Sequence, residues 1–260
     1  MCVYTICKTR TQFAVRTIAI LEDWNDGIMF SIEAFYQEYE TETTEAVVND
    51  KKFNILLPKY LNGFINPMDV LDDFPLWVKI WKASWVLSGY LADMPVEPDK
   101  RFLEIGAGVG LVSIVAASFG HRITMTEYNP DALNFAHANA HLNNCPGLPI
   151  RKLDWHRPRL SGRFDMIVAS EITYRQADFS SLIRLFRSHL QPRGQIILAS
   201  EMRKTGKDLF NFLKTDFDIK IEKKILRSET ATTRIVLFKM KFPNLHCGRN
   251  YDTIQEGEKK

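Results

Sequence analysis

The sequence predicts an α/β fold built on a seven-stranded, mostly parallel sheet whose last strand is antiparallel. Three observations support this prediction. The apolar run 101–105 enters a glycine-rich loop and is followed by the helix-like segment 111–119, which is typical of a strand, a loop and a helix. Strand-like and helix-like segments then alternate. A short loop joins the last two strands, and because a parallel crossover needs about a dozen residues or more, these strands form an antiparallel pair.

Residues 1–75 are predicted to be an N-terminal extension that carries a helix and a β-hairpin. Apolar residues near helical spacing predict a helix over 27–39. The runs 44–48 and 51–57 lie on either side of an Asn-Asp pair, and together they predict the hairpin.

Residues 76–243 are predicted to form the main domain, and residues 244–260 a polar tail. Apolar periodicity predicts that a tryptophan-rich helix over 76–91 opens the domain. The seven strands are predicted over 101–105, 121–127, 150–153, 164–169, 195–200, 219–225 and 233–240. The helices between them are predicted over 111–119, 129–142, 179–190 and 207–215.

Composition and charge argue against several classes of protein. A formal net charge of +3 without a basic stripe argues against a nucleic-acid partner. No apolar stretch reaches the ~18 residues of a membrane span, so no membrane partner is expected. The four cysteines lack the spacing of metal ligands, which predicts no metal site and free thiols in a reducing, cytoplasmic location. They are Cys2, Cys7, Cys145 and Cys247.

The glycine-rich loop has the features of a nucleoside-cofactor site. Residues 103–110 read Leu-Glu-Ile-Gly-Ala-Gly-Val-Gly, and Glu127 follows Glu104 by 23 positions, at the end of the second predicted strand. Glycines permit a tight turn and close backbone approach. A carboxylate about 20 residues further on is placed to accept hydrogen bonds from ribose hydroxyls.

The spacing and charge of this loop favour S-adenosyl-L-methionine over a dinucleotide. The dinucleotide fingerprint needs its third glycine at position 111, where this chain has Leu111. Glu104 would also repel a pyrophosphate at close range. S-adenosyl-L-methionine has no phosphate and carries a sulfonium and an amino group, which suit nearby carboxylates. The alternative is a glycine-rich turn that binds nothing.

Three local motifs resemble those of the methyltransferase-like group of seven-β-strand protein lysine methyltransferases. The resemblance spans roughly 76–240 and implies a Rossmann-like fold, S-adenosyl-L-methionine as cofactor and a lysine-containing protein as substrate. The third motif is similar to the group's Asp-x-x-Tyr motif, with glutamate in the first place. The motifs are Leu76-Trp77-Val78-Lys79-Ile80-Trp81, Leu153-Asp154-Trp155 and Ser170-Glu171-Ile172-Thr173-Tyr174.

The candidate cofactor-binding residues divide between the two ends of the cofactor. Glu104 and the backbone of Gly106 and Gly108 are expected to border the methionine part. Glu127 is expected to take the ribose hydroxyls.

The adenine end is assigned to residues of the predicted third strand and its neighbours. Asp154 would accept a hydrogen bond from the adenine amino group, and Trp155 would form an apolar wall. Trp81 would close the pocket, and the resemblance adds Ser170. Core packing of Trp81 and Trp155, and loop capping by Asp154, are the structural alternatives.

Methyl transfer from a sulfonium is an in-line displacement that requires alignment, desolvation and a neutral amine. We expect Glu171 to position a lysine amine and Tyr174 to shape the substrate channel. A purely structural ring is the alternative for Tyr174. The segment after the fourth strand lacks the Pro-Pro of enzymes that methylate planar nitrogens, which argues further against nucleic acid.

Three functions are compared. The first is an S-adenosyl-L-methionine-dependent protein lysine N-methyltransferase, and the second is a methyltransferase acting on a small amine or a protein histidine. The third is a non-catalytic module that binds a basic partner through the acidic segment 21–50, which has no Lys or Arg; its acidic residues can equally form a solvated helix face. They are Glu22, Asp23, Asp26, Glu33, Glu38, Glu40, Glu42, Glu45 and Asp50.

Overall fold

The computed structural model describes residues 30–65, 74–172, 176–201, 204–227 and 232–243. Within these ranges the strands form a two-stranded sheet, β1–β2, and a seven-stranded sheet. The strands are β1 (Thr41–Val48), β2 (Lys51–Pro58), β3 (Arg101–Ile105), β4 (Arg122–Glu127), β5 (Ile150–Lys152), β6 (Phe164–Ser170), β7 (Leu190–Glu201), β8 (Asp218–Arg227) and β9 (Thr232–Lys241).

The seven-stranded sheet has the order β5-β4-β3-β6-β7-β9-β8. Its first five strands are parallel, and β9 is antiparallel to both β7 and β8. Four consecutive residues of β6, 166–169, are buried, as expected for a parallel strand covered on both faces. This arrangement confirms the predicted fold class, including the antiparallel last strand.

Helices cover both faces of the sheet. On β3, Phe102 belongs to the core cluster of α2 and α3, whereas Leu103 belongs to that of α5 and α6, because successive strand residues point to opposite faces. Among the helices of the described ranges, none has the length and apolar character needed to cross a membrane. The helices are α1 (Ile32–Glu38), α2 (Lys82–Ala92), α3 (Leu111–Ser118), α4 (Pro130–Leu142), α5 (Phe179–His189) and α6 (Lys204–Leu213).

The predicted hairpin of the N-terminal extension is confirmed. Strands β1 and β2 pair in register from Thr41 opposite Pro58 to Val48 opposite Lys51. Asn49 and Asp50 between them both have positive φ, 47° and 61°, the combination that a two-residue type I′ turn requires. The helix predicted over 27–39 is shorter in the described residues, where α1 begins after its N-cap, Ser31.

The N-terminal extension shares a core with the sheet domain. The ring of Phe35 on α1 lies 5.0 Å from that of Phe135 on α4, and Phe135 lies 5.4 Å from Trp77. The hydroxyl of Tyr39 donates to Asp131 Oδ1 at 2.7 Å. Packing of α1 on α4 therefore holds the extension beside the parallel strands.

The prediction of one continuous tryptophan-rich helix over 76–91 is wrong. A single 3₁₀ turn covers Leu76–Val78, the backbone is extended at Lys79 and Trp81, and α2 begins at Lys82. The indole Nε1 of Trp81 donates to the carbonyl of Leu76 at 2.7 Å, which closes the segment into a loop. The prediction used only the spacing of apolar residues, which carries no information about this side-chain bond. The break leaves residues 74–81 as a wall beside the glycine loop.

Candidate active site

A cavity of about 550 Å³ lies at the carboxyl ends of the central parallel strands. This edge is where open α/β sheets bind their ligands. The glycine loop, the end of β4, the turn after β5, the end of β6 and the loop 74–81 form its walls. Seven of the residues predicted for the site line it: Trp81, Gly106, Glu127, Asp154, Trp155, Ser170 and Glu171.

Two predicted site residues lie outside the lining, and a third is not among the described residues. Glu104 and Gly108 are outside the lining of the cavity. Gly108 still contributes to its shape, because its N–H donates to Glu127 Oε2 at 2.8 Å. Tyr174 lies outside the described residues.

The glycine loop adopts a backbone that side chains would disturb. Gly106 has φ 64°, and a Cβ there would lie 2.9 Å from Ile172 Cγ2. Gly110 has φ 92°, and its Cβ would lie 2.8 Å from Met125 Cε. Both positions have a left-handed backbone with close neighbours, so glycine is favoured at the two ends of the turn.

Glu127 is held by backbone donors from two directions. Besides the bond from Gly108, its Oε1 accepts from the N–H groups of Tyr128 at 2.7 Å and Asn129 at 3.1 Å. Each carboxylate oxygen can accept more than one hydrogen bond. The carboxylate is therefore fixed in orientation, lines the cavity and retains capacity to accept hydroxyl groups.

Glu104 lies behind the glycine loop, with 1% of its surface exposed. Its Oε2 accepts from the hydroxyl of Ser113, and the backbone N–H of Ser113 also bonds to the carboxyl group. Burial raises the pKa of Glu104 to about 7. Its Oε1 has no hydrogen-bond partner within the described residues. The sequence placed this carboxylate on the rim of the pocket, whereas the structure places it on β3 beneath the loop, bonded to Ser113 in the first turn of α3.

The residues expected at the adenine end meet at one wall of the cavity. Asp154 Oδ1 accepts from the N–H of His156 at 2.8 Å, so the loop-capping alternative is observed. The ring of Trp155 is half-buried, and its Cζ3 would lie 3.6 Å from a Cβ on Gly106. Ser170 shares a hydrogen bond of 2.9 Å with Ser84 of α2.

Glu171 follows β6 in a strained, buried position. Its φ of 52° lies in the left-handed region, which is unfavourable for a glutamate and is often found at functional sites. Its Oε1 accepts from the N–H of Glu201 at 2.6 Å, and its own N–H donates to Ala199 at 2.9 Å. The end of β7 thus fixes the carboxylate in the cavity wall.

Sequence reasoning missed two charged features of the cavity. Lys79 Nζ lies 3.8 Å from the centroid of the Trp81 ring, a cation–π geometry. His156 Nε2 lies 3.1 Å from Asp178 Oδ1, and both residues line the cavity. Lys79 belongs to a recognised motif, and His156 and Asp178 lie within four residues of the other two, but no sequence pattern of their own marks these three residues.

The composition of the lining fits a cationic cofactor better than a pyrophosphate. Among the described residues that line the cavity, four are carboxylates, one is a lysine and none is an arginine. The carboxylates are Glu127, Asp154, Glu171 and Asp178.

Comparison with known proteins decides the family. A family model described as lysine methyltransferase matches residues 76–216, just over half of the 260 residues. The chain belongs to the lysine methyltransferase family. Membership confirms the sequence resemblance and, with it, the expected cofactor, S-adenosyl-L-methionine.

Among its relatives in this family is "EEF1A lysine methyltransferase 3" of Mus musculus, which is 34% identical over 130 residues, 48% of this chain and 56% of the relative. "Protein N-lysine methyltransferase METTL21A" of Danio rerio is 34% identical over 131 residues, 46% of this chain and 58% of the relative. The matches therefore span somewhat more than half the length of these relatives.

A solved structure supports the same fold. The precorrin-6y C5,15-methyltransferase of Geobacter metallireducens superposes with a TM-score of 0.50 at 16% sequence identity, covering 62% of this chain and 87% of that one. At this identity the likeness concerns the architecture of the sheet and helices.

Proposed function

We propose that this protein is an S-adenosyl-L-methionine-dependent methyltransferase that acts on a lysine side chain of a protein substrate. The observation that carries the proposal is one cavity in which Glu127 and the glycine loop lie with Glu171, in a chain of the lysine methyltransferase family. The family supports methylation of lysine, and the carboxylate-rich lining supports a positively charged methyl donor.

Most of the residues proposed to contact the cofactor line the cavity. Glu127 accepts hydrogen bonds from the ribose hydroxyls, supported by its fixed orientation. The backbone of Gly106 borders the methionine part, while Gly108 and Glu104, outside the lining, hold Glu127 and the start of α3 in place behind it. At the other end the adenine packs on Trp155.

The remaining contacts complete the pocket around the adenine. Asp154 accepts from the adenine amino group through the oxygen that does not cap the turn. Trp81 and Ser170 close the pocket from the loop 74–81 and the end of β6.

For the transfer step, this chain supplies alignment and an environment in which the amine loses its charge. A free lysine has a pKa of about 10.4, so its ammonium must lose a proton before its nitrogen attacks the methyl group. Burial against the aromatic wall favours the neutral amine, while Glu171 accepts a hydrogen bond from it and fixes its direction. Tyr174 is proposed to shape the channel through which the side chain enters.

Two variants test the role of Glu171. Glu171→Ala should bind S-adenosylhomocysteine within about twofold of the wild type, while methyl transfer falls by about 10²-fold, the scale of a lost alignment. Glu97→Ala removes an exposed carboxylate paired with Lys100 and serves as the control, with unchanged turnover. Wild-type turnover in Glu171→Ala would remove Glu171 from this role.

The substrate class is tested by incubating a cell extract with the enzyme and heavy-methyl cofactor, followed by mass spectrometry. Label on lysine residues of one or a few proteins is the expected result. Label on histidine or in the low-molecular-weight fraction would replace the protein-lysine assignment. Calorimetry that detects neither S-adenosylmethionine nor S-adenosylhomocysteine binding would point to a non-catalytic module.

We further propose that residues 76–243 are the catalytic domain and 1–75 an extension that completes its core. A cytoplasmic location is proposed from the cysteines, whose spacing shows no disulfide framework. Fractionation of cells that express the tagged protein tests this location.

A further inference from the structure

The side chain of Asn139 connects three parts of the molecule. It lies on α4 and is fully buried. Its Oδ1 accepts from the N–H of Leu56 on β2 at 2.7 Å, and its Nδ2 donates to the carbonyl of the same residue at 3.1 Å. Nδ2 also donates to the carbonyl of Val109 in the glycine loop at 2.9 Å. One amide thus joins the N-terminal hairpin to the loop that lines the cavity.

These neighbours fix the orientation of the amide. Leu56 presents an N–H that needs an acceptor, and Val109 presents a carbonyl that needs a donor. An amide turned by 180° would place its NH₂ against the N–H of Leu56 and its oxygen against the carbonyl of Val109. The backbone of β2 therefore keeps the Nδ2 of Asn139 directed at the loop.

The carbonyl of Val109 is available to Asn139 because Val109 precedes Gly110, the N-cap of α3. The carbonyl of Gly110 accepts the first helical bond, from the N–H of Ile114 at 3.0 Å, so the N–H of Ser113 is one of the donors that have no partner within the helix. The carboxyl group of Glu104, behind this turn, accepts from the hydroxyl and the N–H of Ser113. The carbonyl of Val109 takes its hydrogen bond from Asn139, and Val109 itself lines the cavity.

Asn143, one turn further along α4, provides a natural comparison. It pairs with Asn54 of β2 through the same two bonds, from the N–H of Asn54 to Oδ1 at 2.9 Å and from Nδ2 to the carbonyl at 2.7 Å. Its Nδ2 also donates to the backbone carbonyl of Asn139 at 2.8 Å. Both asparagines fasten the edge of β2 to α4, and the bonds of Asn143 end on the hairpin and on α4 itself.

We propose that Asn139 is a positioning residue of the cofactor site. The hairpin β1–β2 contributes to cofactor binding because it holds the side chain of Asn139 in place. The proposal rests on the proposed function. The extension then does more than fill the core. The edge of β2 orients the Asn139 amide, and that amide fixes the position of the Val109 carbonyl, where the glycine loop leads into α3.

The test compares Asn139→Ala with Asn143→Ala in the full chain, at a temperature where melting curves show both to be folded. Asn139→Ala should weaken S-adenosylhomocysteine binding, measured by calorimetry, by at least about tenfold, or about 1.4 kcal/mol. It should raise KM for the methyl donor more than it lowers kcat. Asn143→Ala should lose thermal stability yet bind within about twofold of the wild type. Equal losses of affinity in the two variants, or none in Asn139→Ala, would overturn the proposal.

A second measurement uses the wild-type protein and does not depend on whether Asn139→Ala folds. Because coupling between two sites is reciprocal, S-adenosylhomocysteine should slow hydrogen exchange at the N–H of Leu56 and leave that of Asn54 unchanged. The same change at both amides, or at neither, contradicts the proposal. Wild-type protein that does not bind S-adenosylhomocysteine at all refutes the proposed function, and this inference with it.

Discussion

The burial of Glu104 predicts a pH dependence of stability that one substitution removes. Burial raises the pKa of this carboxyl group from 4.5 to about 7 in the folded chain. Between these values the folded chain holds a proton that the unfolded chain has lost, so the free energy of unfolding falls as the pH rises. Each pH unit between 4.5 and about 7 lowers the free energy of unfolding by about 1.4 kcal/mol. Across this pH window the wild type therefore loses about 3 kcal/mol of stability relative to a chain without the group.

Urea unfolding of the protein without cofactor, followed by tryptophan fluorescence at several pH values from 4.5 to 8, measures this loss. Glu104→Gln keeps the shape of the side chain and cannot ionise. We take the difference between the free energy of unfolding of Glu104→Gln and that of the wild type, in which the other titrating groups cancel. This difference should rise by about 3 kcal/mol from pH 4.5 to 7.5.

Ser113→Ala gives the companion control for Glu104. The hydroxyl of Ser113 donates to the carboxylate and lowers its pKa, so removing the hydroxyl should move the window to higher pH. A difference between Glu104→Gln and the wild type that does not change with pH would show that Glu104 ionises as an exposed carboxylate does, and the reasoning from its burial would be refuted.

Two further substitutions test the packing around the site. Gly110→Ala places a Cβ 2.8 Å from Met125 Cε at a φ of 92° and should lower the free energy of unfolding by about 1–3 kcal/mol in urea titrations, whereas Gly63→Ala, with no atom within 4 Å, should change it by less than about 0.5 kcal/mol. Tyr39→Phe removes the hydroxyl bonded to Asp131 and should lower thermal stability by an amount equivalent to about 1 kcal/mol; an unchanged melting temperature would show that this bond does not secure α1 to α4.

The elements that the sequence predicted well depend on short-range physics. The strand, glycine loop and helix at 101–119 follow from an apolar run, glycines at positive φ and a second apolar run. The hairpin follows from Asn49 and Asp50, which tolerate the left-handed backbone of its turn. The antiparallel pair β8–β9 follows from the short connection between the two strands.

The errors concern side chains whose environment is set by distant parts of the chain. Periodicity predicted a helix through Trp81, but a bond from its indole to Leu76 holds an extended segment there. Glu104 was expected on the rim of the pocket because it adjoins the glycine loop. In the structure its strand position directs it beneath α3, where Ser113 bonds to it.

By itself, the sequence determined the order and type of most of the elements, the glycine loop, and the carboxylates at the ends of β4 and β6. Tertiary structure alone decided which of these groups meet. Asn139 contacts Leu56, 83 positions away, and the carboxylate of Glu171 meets the N–H of Glu201, 30 positions away. Local preferences act over one turn of helix or one strand, whereas such pairings arise only when the packing of helices on the sheet brings the segments together.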